Sequence, residues 1–355
     1  MRALVIDRFG VPPTVREVVE PPCPDDGAVV RVAATGVCRS DWHAWQGHDD
    51  SVRLPHVPGH ELAGEVVATG PDVRSWRPGD LVTVPFVCAC GRCDVCQAGE
   101  QQVCPHQEQP GFTHWGSFAE LVALHHADAN LVRLPDGMSP VVAASLGCRF
   151  ATAYRALTVH GRVRAHDEVA VHGAGGVGLS AVQVAAAAGA HVVVVDPSVG
   201  ARAEAASFGA AVTIDPSGLA PEAVAELVVQ ATDGGAHVSI DAFGSSGTAV
   251  ASVLGLRRRG RHVQAGLLLG PHARAGIPMD RVIAWELEVY GSHGMAAHEY
   301  PAMLADVAAG RLDPAALVER VVGLDEAADA LAALGSGTAG AGITVVVPWG
   351  VGGRG

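Results

Sequence analysis

Cys90-Gly91-Arg92-Cys93-Asp94-Val95-Cys96, followed by Cys104, forms a C-x2-C-x2-C-x7-C run. Four thiolates this close in sequence can close a tetrahedron around one Zn2+ with little more than a loop. Paired disulfides are the alternative, but cysteines three apart on a tight loop are badly placed for that bond geometry. A structural zinc is therefore expected. Cys88, just before the run, is either a spare thiol or an alternative ligand.

A second chemistry lies in Val169-Ala170-Val171-His172-Gly173-Ala174-Gly175-Gly176-Val177-Gly178. An apolar strand runs into G-x-G-x-x-G and then into an Ala- and Val-rich helix. Asp196 closes the next strand, at the spacing of a dinucleotide fingerprint. Gly173 permits the tight turn, Gly175 lets backbone approach a pyrophosphate, and Gly178 allows close helix–sheet packing. The helix start at Gly176 and Val177 presents free N–H groups to the phosphates. Asp196 would bind the ribose hydroxyls and repel a 2′-phosphate, and residues 197–201 carry no cation, so NAD is expected over NADP. Arg202 is the nearest basic side chain that could serve a 2′-phosphate.

These groups need elements to position them. The first 150 residues read as short strands broken by Gly and Pro: Ala28–Ala33, Gly64–Thr69 and Leu81–Pro85, with a turn at Arg77-Pro78-Gly79-Asp80. From Glu168 onward, short apolar runs alternate with helical stretches, which implies βαβ units and a parallel sheet. After about Trp285 the alternation fades. The expected α/β organisation is a β-rich domain with the cysteine lobe over 1–150, a doubly wound cofactor domain over 151–285, and a return to the first domain over 286–355. The Gly-rich stretch 348–355 is expected to fray.

A formal net charge of −13 without a basic block argues against nucleic acid and anionic membranes as partners. Apolar runs such as Val192–Val195 are far too short to span a bilayer. The opening Met-Arg-Ala-Leu-Val-Ile-Asp-Arg carries no secretory apolar segment. With eight cysteines, this points to a reducing cytoplasm and to metal or catalytic roles for the thiols.

Two more segments complete an ordered set: Cys38-Arg39-Ser40-Asp41-Trp42-His43 and Gly59-His60-Glu61. Read alone, Cys38 is a small buried hydrophobe and His60 a loop histidine. No spacing rule links them to Cys148 in Gly147-Cys148-Arg149-Phe150. Taken in order with the cysteine lobe and the glycine fingerprint, they resemble the zinc-dependent alcohol dehydrogenases of the medium-chain dehydrogenase/reductase superfamily. The resemblance covers essentially the whole chain. It implies a GroES-like catalytic domain split around a Rossmann cofactor domain, with the active site in the cleft between them.

The resemblance also implies two zinc ions per subunit. Cys90, Cys93, Cys96 and Cys104 match the structural ligands. Cys38, His60 and Cys148 match the catalytic ligands, leaving a fourth position for water or substrate, a ligand set known from alcohol dehydrogenases. Polyol dehydrogenases resemble the chain too, but place Glu where Cys148 stands. Glu61 matches a carboxylate that can approach the metal during ligand exchange, and Asp41 the acid that orients the histidine ligand. Ser40 and His43 match a proton relay, Arg39 a pyrophosphate contact, and Trp45 and Phe86 the substrate pocket.

The implied reaction is reversible NAD-linked oxidation of an alcohol to an aldehyde or ketone. The metal acidifies the alcohol, the proton leaves through Ser40, the nicotinamide ribose and His43, and hydride passes to the nicotinamide. With Trp45 and Phe86 both lining the pocket, small or slender primary alcohols are expected. The family forms homodimers or homotetramers. One rival is a zinc-containing biosynthetic reductase acting on a bulky or unsaturated substrate; Ser40 and His43 argue against it, because carbon–carbon double-bond reduction needs no alcohol proton relay. A rival of another class is a non-catalytic zinc- and NAD-binding protein, against which the complete ligand set argues. His48, His56, His106, His114, His125 and His126 lack motif context and read as surface or packing histidines.

Overall fold

The computed structural model describes residues 1–336, 340 and 342–350; the end of the Gly-rich stretch, from 351, lies outside them. The chain forms two compact units. One contains Met1–Ala151, Gly294–Ala309 and the chain from Pro314; the other contains Thr152–His293 and Gly310–Asp313.

The first unit begins with an antiparallel ribbon of β1 (Arg2–Val5) and β2 (Thr14–Glu17). Its main sheet is built on β3 (Ala28–Val37), which pairs antiparallel with β4 (Glu61–Thr69). Val30 and Val32 face the core while Arg31 between them is exposed, the period-2 pattern of a half-covered strand. β5 (Leu81–Thr83), β6 (Leu121–Leu124) and β7 (Val132–Arg133) extend the sheet. Toward its end β3 loses the alternation, and Ala34, Thr35, Gly36 and Val37 are all buried. That doubly covered end leads directly into Cys38.

The second unit is a parallel sheet in the order β10-β9-β8-β11-β12-β13. Its strands are β8 (Glu168–His172), β9 (His191–Val195), β10 (Val212–Ile214), β11 (Ala236–Asp241), β12 (Leu256–Gln264) and β13 (Glu288–Gly291). Val192, Val193 and Val194 are fully buried, as expected of a strand covered by helices on both faces. The strand order reverses at β8 and β11, and such a switch point opens a crevice at the strand C-termini. β13 corrects the expected end of this unit at 285. It is a four-residue edge strand with every second residue exposed, so its sequence offered no apolar run to read.

β14 (Val318–Gly323) runs parallel to β15 (Ile343–Val347), which pairs antiparallel with β3 through Thr344, Val345 and Val346. The return of the chain thus braces the end of β3 that carries the site. Among the described residues, no helix is long and apolar enough to cross a membrane.

Candidate active site

After β3, the helix Arg39–Trp45 begins with Cys38 as its N-cap. Asp41, in the first turn and fully buried, accepts the Cys38 N–H through Oδ2 at 2.9 Å. Its Oδ1 accepts the Gly59 N–H at 3.1 Å and bonds His60 Nδ1 at 2.8 Å. Gly59 holds φ +106°, and a Cβ there would lie 2.7 Å from the Phe118 backbone nitrogen, so only glycine admits this approach. One carboxylate thereby sets the N-cap, the loop before β4 and the histidine ring together. With Nδ1 committed to Asp41, the buried His60 Nε2 has no hydrogen-bond partner.

Ligand atoms of Cys38, His60, Glu61 and Cys148 all lie within 4.8 Å of one another. Cys148 comes from a π-helical turn, Leu146–Phe150. Such wide turns occur frequently at functional sites. The Cys148 thiol pulls Cys38 well below the usual thiol range, against the effect of burial. The same hydrogen bond, with burial, pushes Cys148 up. Burial works against a charged His60, but the Asp41 carboxylate and, after it, the Cys38 sulfur together outweigh it and raise the ring well above its ordinary value. A buried thiolate, a second thiol and an imidazole aimed by a carboxylate are the donor chemistry of a zinc site.

Glu61 is held differently. Arg149 clamps it with Nε at 3.1 Å and Nη2 at 2.5 Å, and adds its backbone N–H at 3.2 Å. Burial raises the Glu61 carboxyl and Arg149 opposes that shift.

The cysteine lobe gathers four sulfurs. Cys93–Cys96 is 3.4 Å, Cys104–Cys90 3.6 Å, Cys93–Cys104 3.8 Å and Cys90–Cys96 3.9 Å. A tetrahedron with Zn–S bonds of about 2.3 Å has edges of about 3.8 Å. All eight cysteines are free thiols, so the disulfide alternative does not hold here. Backbone N–H bonds beginning with that of Arg92 lower Cys90 to about 6, while burial pushes Cys96 to about 12. A divalent cation is the partner that lets all four ionise together. Cys88 stands apart, packed in the core beside Val84 with its thiol near the Pro85 carbonyl.

In the second unit, β8 runs into Gly173 at φ +92°, and the helix Gly176–Ala187 follows. A Cβ on Gly178 would lie 1.8 Å from the Gly173 carbonyl, whereas one on Gly175 would meet nothing within 4 Å. Open space over Gly175 is what a pyrophosphate needs. Asp196 accepts the Ala174 N–H at 2.7 Å and the Ser198 N–H at 2.8 Å, fixing the carboxylate at the end of β9. Arg202 donates to the Asp196 carbonyl at 2.6 Å and pairs with Asp215 at 3.1 Å.

Comparison with known proteins identifies the family. Residues 24–136 match the family "Alcohol dehydrogenase GroES-like domain" and residues 176–309 match "Zinc-binding dehydrogenase". An alcohol dehydrogenase of Geobacillus stearothermophilus is 34% identical over 82% of this chain and 84% of its own length. The chain belongs to the zinc-dependent alcohol dehydrogenases. Among solved structures, the alcohol dehydrogenase from Thermus sp. ATN1 has a TM-score of 0.89 at 31% identity, covering 98% of this chain and 99% of that one. A zinc-binding dehydrogenase from Sinorhizobium meliloti 1021, solved bound to NADP, has a TM-score of 0.85 at 29% identity, covering 98% of this chain and 99% of that one. An alcohol dehydrogenase of the medium-chain superfamily, with a GroES-like and a Rossmann unit, acts on small-molecule substrates with a nicotinamide cofactor.

Within this dehydrogenase, Ser40 lies 3.8 Å from the Cys38 sulfur, and His43 is one turn further along the same helix. Arg39 donates to the Leu334 carbonyl at 2.9 Å, a contact within its own unit. Trp45 is a correction. Its indole N–H is bonded to the Val11 carbonyl at 2.6 Å and its ring packs among Val5, Phe118 and Leu331, so it is core and not pocket lining. Phe86 does sit beside the ligands, its ring 6.2 Å from that of His60. Phe112, which carried no motif signal, is nearer at 5.2 Å. Tyr300 was also missed; its buried hydroxyl donates to the Gly147 carbonyl at 3.1 Å and steadies the turn that carries Cys148.

Proposed function

We propose that this alcohol dehydrogenase uses NAD and carries two zinc ions per subunit. The observation that carries the reading is the buried His60 Nε2, without a hydrogen-bond partner, set among two thiols. Cys38, His60 and Cys148 would hold the catalytic zinc, and Cys90, Cys93, Cys96 and Cys104 the structural one. When bound, the catalytic zinc supplies Lewis-acid polarisation of an alcohol or carbonyl oxygen, and the nicotinamide supplies the hydride acceptor.

The protein's own groups do the positioning. With Nδ1 bonded to Asp41, His60 would offer its Nε2 lone pair to the zinc. Ser40 takes the alcohol proton, and His43, three residues on along the same face of the helix, carries it outward. Phe86 and Phe112 wall the site with apolar surface and set the width available to the substrate. Arg149 keeps Glu61 paired beside the ligands.

The preference for NAD rests on charge. A 2′-phosphate beside Asp196 would meet a carboxylate, and Arg202 is already paired with Asp215. On the second unit, Met279, Ile283 and Val289 are exposed near or on the edge strand β13, which supports a homodimer or homotetramer built through that unit. Free thiols throughout suit a reducing, cytoplasmic setting.

The test combines zinc analysis with initial rates on primary, secondary, aromatic and polyol alcohols, using NAD and NADP. Two zincs per subunit and a higher kcat/KM with NAD are expected. Full activity without zinc, or a preference for NADP, would overturn the reading.

A further inference from the structure

The helix that carries Ser40 and His43 ends in a specific cap. Gly47 takes φ +76°, its N–H bonds the Ala44 carbonyl at 3.1 Å, and the His48 N–H bonds the His43 carbonyl at 3.0 Å. These paired bonds are a Schellman motif, which folds the residue after the left-handed glycine back over the last helical turn. The two side chains so brought together are usually apolar. Here they are His43 and His48, with Nδ1 to Nδ1 at 3.0 Å and ring centroids 5.3 Å apart. Trp42 packs edge-on against both rings, with centroids 5.0 and 5.8 Å away. His43 is half-buried and His48 is exposed, so the pair leads from the site toward water.

A hydrogen bond between two Nδ1 atoms requires one ring to donate and the other to accept. We propose that His48 is the outer end of the proton exit of this dehydrogenase. The proposal rests on the reading of His43 as a relay residue. A proton arriving at His43 Nε2 releases the Nδ1 proton across the 3.0 Å bond to His48 Nδ1, and His48 gives up its Nε2 proton to water. Each step is a proton transfer with no oxidation or reduction. The inter-ring bond survives with reversed polarity, and exchange with water restores the starting tautomers. Besides His48, Arg39 and Cys38 are the charged groups that act on His43. Asp49, beside His48, accepts from Ser51.

The test uses zinc-loaded enzyme saturated with NAD and follows NADH formation in a single turnover by stopped flow. His48→Gln keeps a hydrogen-bonding side chain but has no second ring nitrogen to pass a proton on. Near pH 7 it should slow the step by about tenfold, below the usual range for a general base, since water can reach half-buried His43. KM should hold, the solvent deuterium isotope effect should rise, and added imidazole should restore the rate. A downfield imidazole N–H resonance should be present in wild type and absent from both His48→Gln and His43→Ala. If His43→Ala slows the step and His48→Gln does not, the exit through His48 is refuted while the His43 relay stands. If neither variant slows it, the relay is refuted as well. A slower His48→Gln with no imidazole rescue and no isotope change would make His48 a capping residue only, and would also overturn the proposal.

Discussion

Replacing Asp41 by Asn exchanges a single oxygen for an amide nitrogen at the most connected carboxylate of the site. In the protein, Oδ1 serves two donors, Gly59 N–H and His60 Nδ1–H, and Oδ2 serves the Cys38 N–H. Asparagine offers only one acceptor oxygen. With that oxygen at the Oδ1 position, the amide NH2 opposes the Cys38 N–H. With it at the Oδ2 position, the NH2 faces Gly59 N–H and forces His60 Nδ1 to accept, which moves the ring proton onto Nε2. The first arrangement leaves one buried donor unpaired, at about 1–3 kcal/mol, and all the surviving bonds lose an ionised acceptor. The second places a proton on the nitrogen a metal would need.

Either outcome weakens one metal site and spares the other. The expected loss of zinc affinity is about 10- to 100-fold, the range for removing a carboxylate that orients a ligand histidine. The assay is dialysis of wild type and Asp41→Asn against graded chelator, counting zinc per subunit. Asp41→Asn should fall from two zincs to one at a lower chelator concentration, with the cysteine-lobe zinc retained. Cys90→Ser is the reciprocal control. Equal retention of both ions by wild type and Asp41→Asn would refute the coupling of Asp41 to His60.

Arg149→Met should destabilise the protein by about 3–5 kcal/mol by leaving Glu61 buried without its partner, and Arg149→Met combined with Glu61→Gln should recover part of the loss. Denaturant midpoints of the single and double variants decide it, and simple additivity would count against the pair. Asp196→Ala should narrow the NAD-over-NADP ratio of kcat/KM, and adding Asp215→Ala, which releases Arg202, should narrow it further; an unchanged ratio would remove both from cofactor choice. Burial, with His262 nearby, depresses His172 to about 3. The unfolded chain therefore binds the extra proton at pH values between about 3 and 6.5, so stability is full above that window and falls as pH drops through it. At pH 5 the loss is about 2 kcal/mol. His172→Leu should abolish that share of the difference in unfolding free energy between pH 8 and pH 5, and an unaltered difference would show that His172 carries no such penalty.

How much of this was legible beforehand depends on the range of the interactions. The gathering of the four lobe sulfurs could be read because these cysteines lie within one short segment, so spacing alone constrains the geometry. The glycine fingerprint could be read because strand, turn and helix are consecutive, and the 1.8 Å approach at Gly178 is a local event. The catalytic cluster could not be derived that way. Cys38 lies at the end of β3, His60 before β4 and Cys148 on a π-helical turn, and only family resemblance linked them. Trp45 was misplaced for a related reason. An aromatic residue near a ligand motif says nothing about which side of the helix faces the core, and here the indole N–H went to Val11. Phe112 and Tyr300 reach the site through folding of distant segments. The His48 contact had a readable trace, since a helix followed by Gln46-Gly47-His48 has the composition of a glycine-capped end.

The clamp on Glu61 explains how a carboxylate can sit among metal ligands without becoming one. On the proposed reading, two thiolates and a neutral imidazole balance the charge of a zinc ion, and Glu61 would make the site net negative. At about 4 Å and an effective dielectric of about 20, one unit-charge pair interacts by about 4 kcal/mol, so the excess is not negligible. Arg149 restores neutrality from the residue next to the ligand Cys148. Its hold is bidentate, with the backbone N–H as a third donor. Turning Glu61 onto the metal would break those bonds and strand a guanidinium whose side chain is only 10% exposed. An unpaired buried charge is the expensive state. The pairing therefore favours a fourth ligand position left open to substrate, and any excursion of Glu61 toward the metal must first overcome Arg149.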